Sequence, residues 1–211
     1  HIHPATGLEL DSAPPGRNAD GVLKTILELN RIRDLDTLLE TVLLKARQLV
    51  GADAGTIYLK AKNRLFFSYV QNDSLFAGQT PDSRYVYSEQ SLPIDRQSLA
   101  GYAAASREPL IIDDVYDIQS SVSYSFNPEF DAKSHYRTKS MLIVPLLTRD
   151  ETLVGVLQLI NATKENGEAG AFSYSDILIA SQFAQNAADA IERAKMAREM
   201  VLRDRKSTRL N

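Results

Sequence analysis

Gln158 is the side chain most out of keeping with its neighbours. It stands in Val154-Gly155-Val156-Leu157-Gln158-Leu159-Ile160, where nothing else is polar. Alternate side chains of a strand share a face, so Gln158 goes with Val156 and Ile160, and Leu157 goes with Leu159. If the first set faces inward, a carboxamide with donors and an acceptor is aimed at the interior and needs a partner. That partner is either a ligand or a backbone group of a covering loop. Ser98 is a second polar feature, at the start of a short helix of small residues running through Ala105. The free N–H groups at a helix start can seat a phosphate, or can be met by water and the cap alone.

Several chemistries are excluded. There is no Cys, which removes disulfides, thiolate metal sites, Cys nucleophiles and thioether-linked chromophores together. It also fits a reducing, cytoplasmic setting. Of three His, two stand in the first three residues and only His135 lies inside the folded part. A lone loop His is ordinarily exposed, so neither metal nor haem is expected. Asp113-Asp114 reads as a strand end. No Ser nucleophile with a base and no Gly-rich phosphate loop appears, so no catalytic residue is assigned.

The elements that hold these residues follow from periodicity. Residues 1–20, with Pro4, Pro14, Pro15 and Gly16, read as a loose tail. Asp20 is placed as the cap of a helix over 21–33, and Asp36 as the N-cap of a second helix. That helix carries Leu38, Leu39, Val42, Leu43, Ala46, Leu49 and Val50 on one stripe and stops at Gly51. A hairpin over 54–59 and 65–70 follows, with a short edge strand at Tyr85-Val86-Tyr87. Leu110-Ile111-Ile112 is a strand, and one helical turn is expected over 128–134. A strong hairpin pairs 140–147 with 153–160. Pro145 within it implies an edge, a bulge, or a nitrogen facing away from its partner. Ser173 and Asp176 form a capping box that opens a helix to about Arg203. The order predicts an α/β (α+β) antiparallel sheet of five or six strands, with the terminal helices on one face.

Bulk properties agree. With 211 residues, the chain can bury one substantial core. A net charge of −3 with interspersed signs gives no field for nucleic acid or an anionic membrane. The apolar runs are too short for membrane insertion.

From Leu29 to about Ala194 the chain resembles the GAF family. The resemblance is carried by Leu99-Ala100-Gly101-Tyr102-Ala103-Ala104, then Glu108-Pro109-Leu110-Ile111-Ile112-Asp113-Asp114. Asn127-Pro128, Phe130-Asp131, Tyr136-Arg137-Thr138-Lys139-Ser140, Val144-Pro145-Leu146, Gly155-Val156 and Leu159-Ile160-Asn161-Ala162 complete it. It is similar to GAF domains of cyclic-nucleotide phosphodiesterases and cyclases, and of bacterial GAF–HD-GYP signalling proteins. The cyclic-nucleotide group has a signature of Asn-Lys, then Phe, three residues and Asp-Glu. Asn161, Phe172 and Asp176 match it. The Lys position is Ala162 and the Glu position is Ile177, with Lys164 two residues late. The family's Lys–Asp brace of the pocket lid therefore has no counterpart at the matching position.

The resemblance implies a ligand pocket between the sheet and a lid on the face away from the helices. Its walls map onto Gly55, Leu99 and Ala100, the lid residues Phe126, Phe130, Asp131, Ser134, Tyr136 and Thr138, and Gln158. Small residues at Gly55 and Ala100 would admit a flat ligand. Asp131, Ser134 and Thr138 would bond a purine edge or ribose, or else cap their own loop. A cyclic nucleotide is the candidate ligand. The division expected is a tail over 1–20, a GAF sensor domain over 21–195, and a continuing signalling helix and tail over 196–211. The stripe of Ala180, Phe183, Ala187, Ile191 and Ala194 suggests a homodimer through the terminal helices. The function expected is small-molecule sensing within a larger phosphodiesterase, cyclase or kinase. The alternative is a ligand-free dimerisation module.

Overall fold

The computed structural model describes residues 19–74, 91–164 and 166–208. Helix α1 spans Ala19–Leu29 and α2 spans Leu35–Val50. They lead into the hairpin β1 (Ala52–Ala61) and β2 (Arg64–Asn72). Then come β3 (Ser91–Pro93), α3 (Leu99–Ser106), β4 (Leu110–Ile112) and α4 (Glu129–Ser134). The second hairpin is β5 (Met141–Leu147) and β6 (Leu153–Thr163), followed by β7 (Ala169–Gly170) and α5 (Tyr174–Thr208). The sheet order is β3-β2-β1-β6-β5-β4, with β7 beside β6, and every pairing is antiparallel. With β7 the sheet has seven strands rather than five or six. The edge strand expected at Tyr85–Tyr87 lies outside the described residues, as do residues 1–18 of the expected tail.

Helix starts differ from the sequence expectation in two places. Ala19 and Asp20 belong to α1, so Asp20 sits in its first turn rather than before it. The cap of α2 is Asp34, whose Oδ2 accepts from the Thr37 backbone N–H at 2.8 Å. Asp36 lies one residue inside the helix, where its charge still favours the N-terminal dipole. Gly51 ends α2 with φ +66°, a left-handed conformation that glycine adopts without cost, and its N–H bonds the Arg47 carbonyl.

The sheet separates two apolar layers. On one face Leu38, Val42, Leu43 and Leu49 of α2 meet Ile57, Leu142, Leu157 and Leu159. Phe183, Ala184, Ala187, Ala188 and Ile191 of α5 join them. The run of alanines lets α5 lie close to the strands. On the other face Tyr58, Ile143, Val156 and Met141 pack beneath Leu99, Ala100 and Ala103 of α3. Pro145 lies past the last pair of β4 with β5, Leu110↔Ile143, so its missing N–H faces a locally open edge. The capping box at α5 is closed in both directions. Ser173 N donates to Asp176 Oδ2 at 2.7 Å, and Asp176 N donates to Ser173 Oγ at 3.2 Å.

Burial along α5 stops at Ala194, although the helix runs on to Thr208. The stripe of Ala180, Phe183, Ala187, Ile191 and Ala194 is therefore occupied by the chain's own sheet and is not free for a partner. Beyond Ala194, α5 exposes Met196, Met200, Val201 and Leu202, and α1 exposes Leu23 and Leu27. No helix among the described residues is long and apolar enough to cross a membrane.

Candidate functional site

The face of the sheet away from α2 and α5 carries a cavity of about 410 Å³. Its floor is strands β1 and β6, one wall is the start of α3, and its cover is the segment from Ser125 to Thr138. All ten residues expected at a binding site line this one cavity: Gly55, Leu99, Ala100, Phe126, Phe130, Asp131, Ser134, Tyr136, Thr138 and Gln158.

The floor derives from strand alternation. Thr56 stands directly opposite Gln158 in the β1–β6 ladder, and both face the cavity. Thr56 is 5% exposed and Gln158 9%, yet neither side chain makes a hydrogen bond among the described residues. Tyr58, two residues along β1, presents a third such group, and burial pushes its hydroxyl pKa well up. Its ring packs on Phe67 with centroids 4.5 Å apart. Thr56 and Tyr58 were not singled out from the sequence. Their position two and four residues after Ala54 on a half-buried strand was the available signal.

Gly55 has a different role from the one expected. A Cβ on it would lie 2.8 Å from Leu43 Cδ1 and 3.0 Å from the Gln158 carbonyl oxygen. Its bare face thus admits α2, not a ligand, and only its backbone borders the cavity. At α3, Ser98 caps as expected, with its Oγ accepting from Gly101 N at 3.0 Å.

The polar lid residues are largely engaged with the lid itself. Asp131 accepts from Thr138 N at 2.8 Å, Thr138 Oγ1 at 2.7 Å and Tyr116 OH at 2.7 Å. Ser134 Oγ donates to the Phe130 carbonyl at 2.7 Å. Of the two roles open to Asp131, Ser134 and Thr138, loop capping is the one their contacts fulfil. Tyr116, which no spacing pointed to, also packs edge-on to Phe126 at 5.3 Å and lies under the Arg137 guanidinium at 3.7 Å.

A second set of bonds fastens the lid's end. Tyr136 OH donates to Asp53 Oδ2 at 2.7 Å and accepts from Asn161 Nδ2 at 2.9 Å. Burial, and then the Asp53 carboxylate, hold the Tyr136 proton firmly in place. Asn161 Nδ2 also donates to the Arg137 carbonyl, while its Oδ1 accepts from Lys139 N and Ser140 N. Asn161 thus meets every hydrogen-bonding direction of its amide from the lid. Phe172 is core, and Asp176 serves the α5 cap. Lys164 lies along Gly170. The end of the lid is thus held by the Tyr136–Asp53–Asn161 latch.

His135 is exposed in a left-handed turn at the end of α4. No group of three or more His, Asp or Glu among the described residues is arranged to hold a metal.

Comparison with known proteins agrees with this architecture. The family model described as "GAF domain" matches residues 34–191. A Caenorhabditis elegans protein described as a probable 3′,5′-cyclic phosphodiesterase is 29% identical over 136 residues, covering 62% of this chain. The matched stretch spans only 17% of that relative's length. The GAF domain of an Acinetobacter phosphoenolpyruvate-protein phosphotransferase superposes with a TM-score of 0.62 at 17% identity, covering 85% of this chain and 96% of its own. A GAF domain/HD domain protein from Geobacter sulfurreducens gives 0.57 at 16% identity, covering 81% and 98%. At these identities the structural matches speak for the fold.

Proposed function

The chain belongs to the GAF domain family, whose members are regulatory sensing domains, and from that premise we propose that its cavity binds a small regulatory ligand, with a cyclic nucleotide as the class. The observation that carries this reading is the cavity floor. Thr56, Tyr58 and Gln158 place three hydrogen-bonding groups in an apolar layer without protein partners among the described residues. Their polar atoms open onto the cavity, where a ligand can supply the missing partners. A volume of about 410 Å³ falls within the range of about 300–1,000 Å³ usual for small-molecule sites. The phosphodiesterase relative supports the cyclic-nucleotide class. A phosphate would sit at the start of α3 and the base against Gln158. The parent would be a larger cytoplasmic signalling protein, a phosphodiesterase, cyclase or kinase. Its output domain would respond because the ligand favours one arrangement of α1 and α5 over another.

Calorimetric titration with cyclic AMP, cyclic GMP and cyclic dinucleotides tests the reading, beside mass spectrometry of what the denatured protein releases. Gln158→Leu should weaken binding by about 1–3 kcal/mol, because a ligand group is left unpaired. Heat with none of these compounds would reject the cyclic-nucleotide class. No ligand released or bound would favour the ligand-free dimerisation module, to which the absence of Lys at position 162 and the self-sufficient lid lend support.

Dimerisation belongs to the same proposal, now resting on different residues. Leu23 and Leu27 of α1 and Met196, Met200, Val201 and Leu202 of α5 leave an apolar surface that a second copy would cover. Light scattering is expected to give a dimer, and Leu27→Asp with Met200→Asp is expected to give a folded monomer whose melting temperature no longer depends on protein concentration. A wild-type monomer at high micromolar concentration would refute it.

A further inference from the structure

A second cleft of about 430 Å³ opens on the opposite side of the molecule from the lid. It is lined by Asn30, Arg33, Arg149, Asn186, Asp189 and Arg193, with no apolar side chain among them. The three arginines come from three separate elements: Arg33 from the turn between α1 and α2, Arg149 from the β5–β6 turn, and Arg193 from α5. We infer that this cleft is a binding site for a phosphoryl-bearing small molecule, distinct from the lid cavity.

The charges favour an anion. Three guanidinium groups face a single carboxylate, and that carboxylate is already committed. Asp189 Oδ2 pairs with Arg149 Nε at 3.2 Å, and Oδ1 accepts from the Arg149 backbone N–H at 3.1 Å. Those contacts orient Arg149 and leave its two terminal nitrogens without partners among the described residues. Arg193 is oriented in a similar way by one bond, from Nη2 to Asn30 Oδ1 at 2.6 Å. Arg33 makes no hydrogen bond or ion pair among the described residues. A guanidinium carries five N–H donors, so most of those lining the cleft are unused.

The geometry favours phosphoryl over carboxylate. A planar carboxylate is filled by one or two forks. A tetrahedral phosphoryl group presents oxygens in several directions and accepts forks from all three arginines. The cleft has room for more than one phosphoryl group. A ligand there would tie the α1–α2 corner and the β5–β6 turn to α5, the helix that leaves the domain.

The test is calorimetric titration of the chain with inorganic pyrophosphate, with citrate as the carboxylate comparison. A saturable one-to-one isotherm is expected, with citrate weaker and with affinity falling as salt is raised. Arg33→Ala touches no structural contact and should weaken pyrophosphate about tenfold or more, as should Arg149→Ala and Arg193→Ala. Gln158→Leu should leave pyrophosphate binding unchanged, and pyrophosphate should raise the melting temperature. The inference is overturned by an isotherm that does not saturate, by citrate binding the more tightly, or by affinity that survives all three arginine variants. A loss confined to Gln158→Leu would place the anion in the lid cavity instead and would equally overturn it.

Discussion

Gly155→Ala is expected to lower the unfolding free energy by roughly 3 kcal/mol or more, at the upper end of what overpacking costs and beyond it. Gly155 sits mid-sheet, paired with Leu59 on β1 and Leu146 on β5. A Cβ there would lie 2.0 Å from the Tyr58 carbonyl oxygen, 3.1 Å from its carbon and 3.3 Å from Leu59 Cα. All three atoms are backbone of a central strand, so no rotamer change relieves the contact. The two strands must separate, in the region where β1 already shifts register between Ile57 and Tyr58. Gly55→Ala supplies the comparison. Its closest contact is the end of a flexible side chain, Leu43 Cδ1, so the expected cost is smaller, about 1–2 kcal/mol. Urea unfolding with a common m-value gives both numbers. Equal costs, or a harmless Gly155→Ala, would show that the β1–β6 approach is not as close as described. The variant also bears on the site, because Tyr58, whose carbonyl the added Cβ would meet, lines the cavity.

That glycine illustrates what the sequence makes legible. Gly155-Val156 carries part of the family resemblance, yet only the packed sheet shows which atoms require the glycine. The same holds at Gly55, whose backbone borders the cavity while its bare face meets α2. Strand alternation settles which face a side chain takes only once one face is known to carry the helices. Helix stripes, the capping box and both hairpins could be read because they depend on residues near one another in the chain. Gln158 stood out because a carboxamide inside an apolar strand violates a local pattern. The latch did not stand out. Asp53 and Tyr136 are 83 positions apart, and nothing in the surroundings of either announces the other. Asp131, Ser134 and Thr138 were ambiguous for a related reason: short polar side chains serve a ligand or their own loop equally well, and the loop's path decides. The α5 stripe misled by being real but already used, since periodicity shows that a face is apolar without showing what covers it.

Arg47→Met should be about as damaging as Gly155→Ala, at about 3 kcal/mol, and should loosen the lid as well. Arg47 lies in the last turn of α2 and is 4% exposed. Its guanidinium donates to the Ala52 carbonyl at 3.3 Å, the Asp53 carbonyl at 2.6 Å and Gln71 Oε1 at 2.9 Å, and pairs with the Asp73 carboxylate. Met keeps the length of the stem but provides no donor, so three acceptors at the start of β1 and the end of β2 lose their partner. Each orphaned acceptor costs about 1–3 kcal/mol where water cannot reach it. Asp73 is 77% exposed and rehydrates, which keeps the total below the about 3–5 kcal/mol of a wholly buried pair plus its satellites. Lys at this position would restore one charge but not three directions, and should recover only part of the loss. The consequence for the site follows from Asp53. Arg47 holds its carbonyl, while its carboxylate holds Tyr136 and through it the end of the lid. Hydrogen exchange should therefore show the lid segment from Asp131 to Ser140 losing protection in Arg47→Met by more than the global stability loss accounts for. Tyr136→Phe should reproduce the lid effect with a far smaller global cost. If Arg47→Met lowers protection evenly over the whole chain, α2 and the lid are not coupled through Asp53.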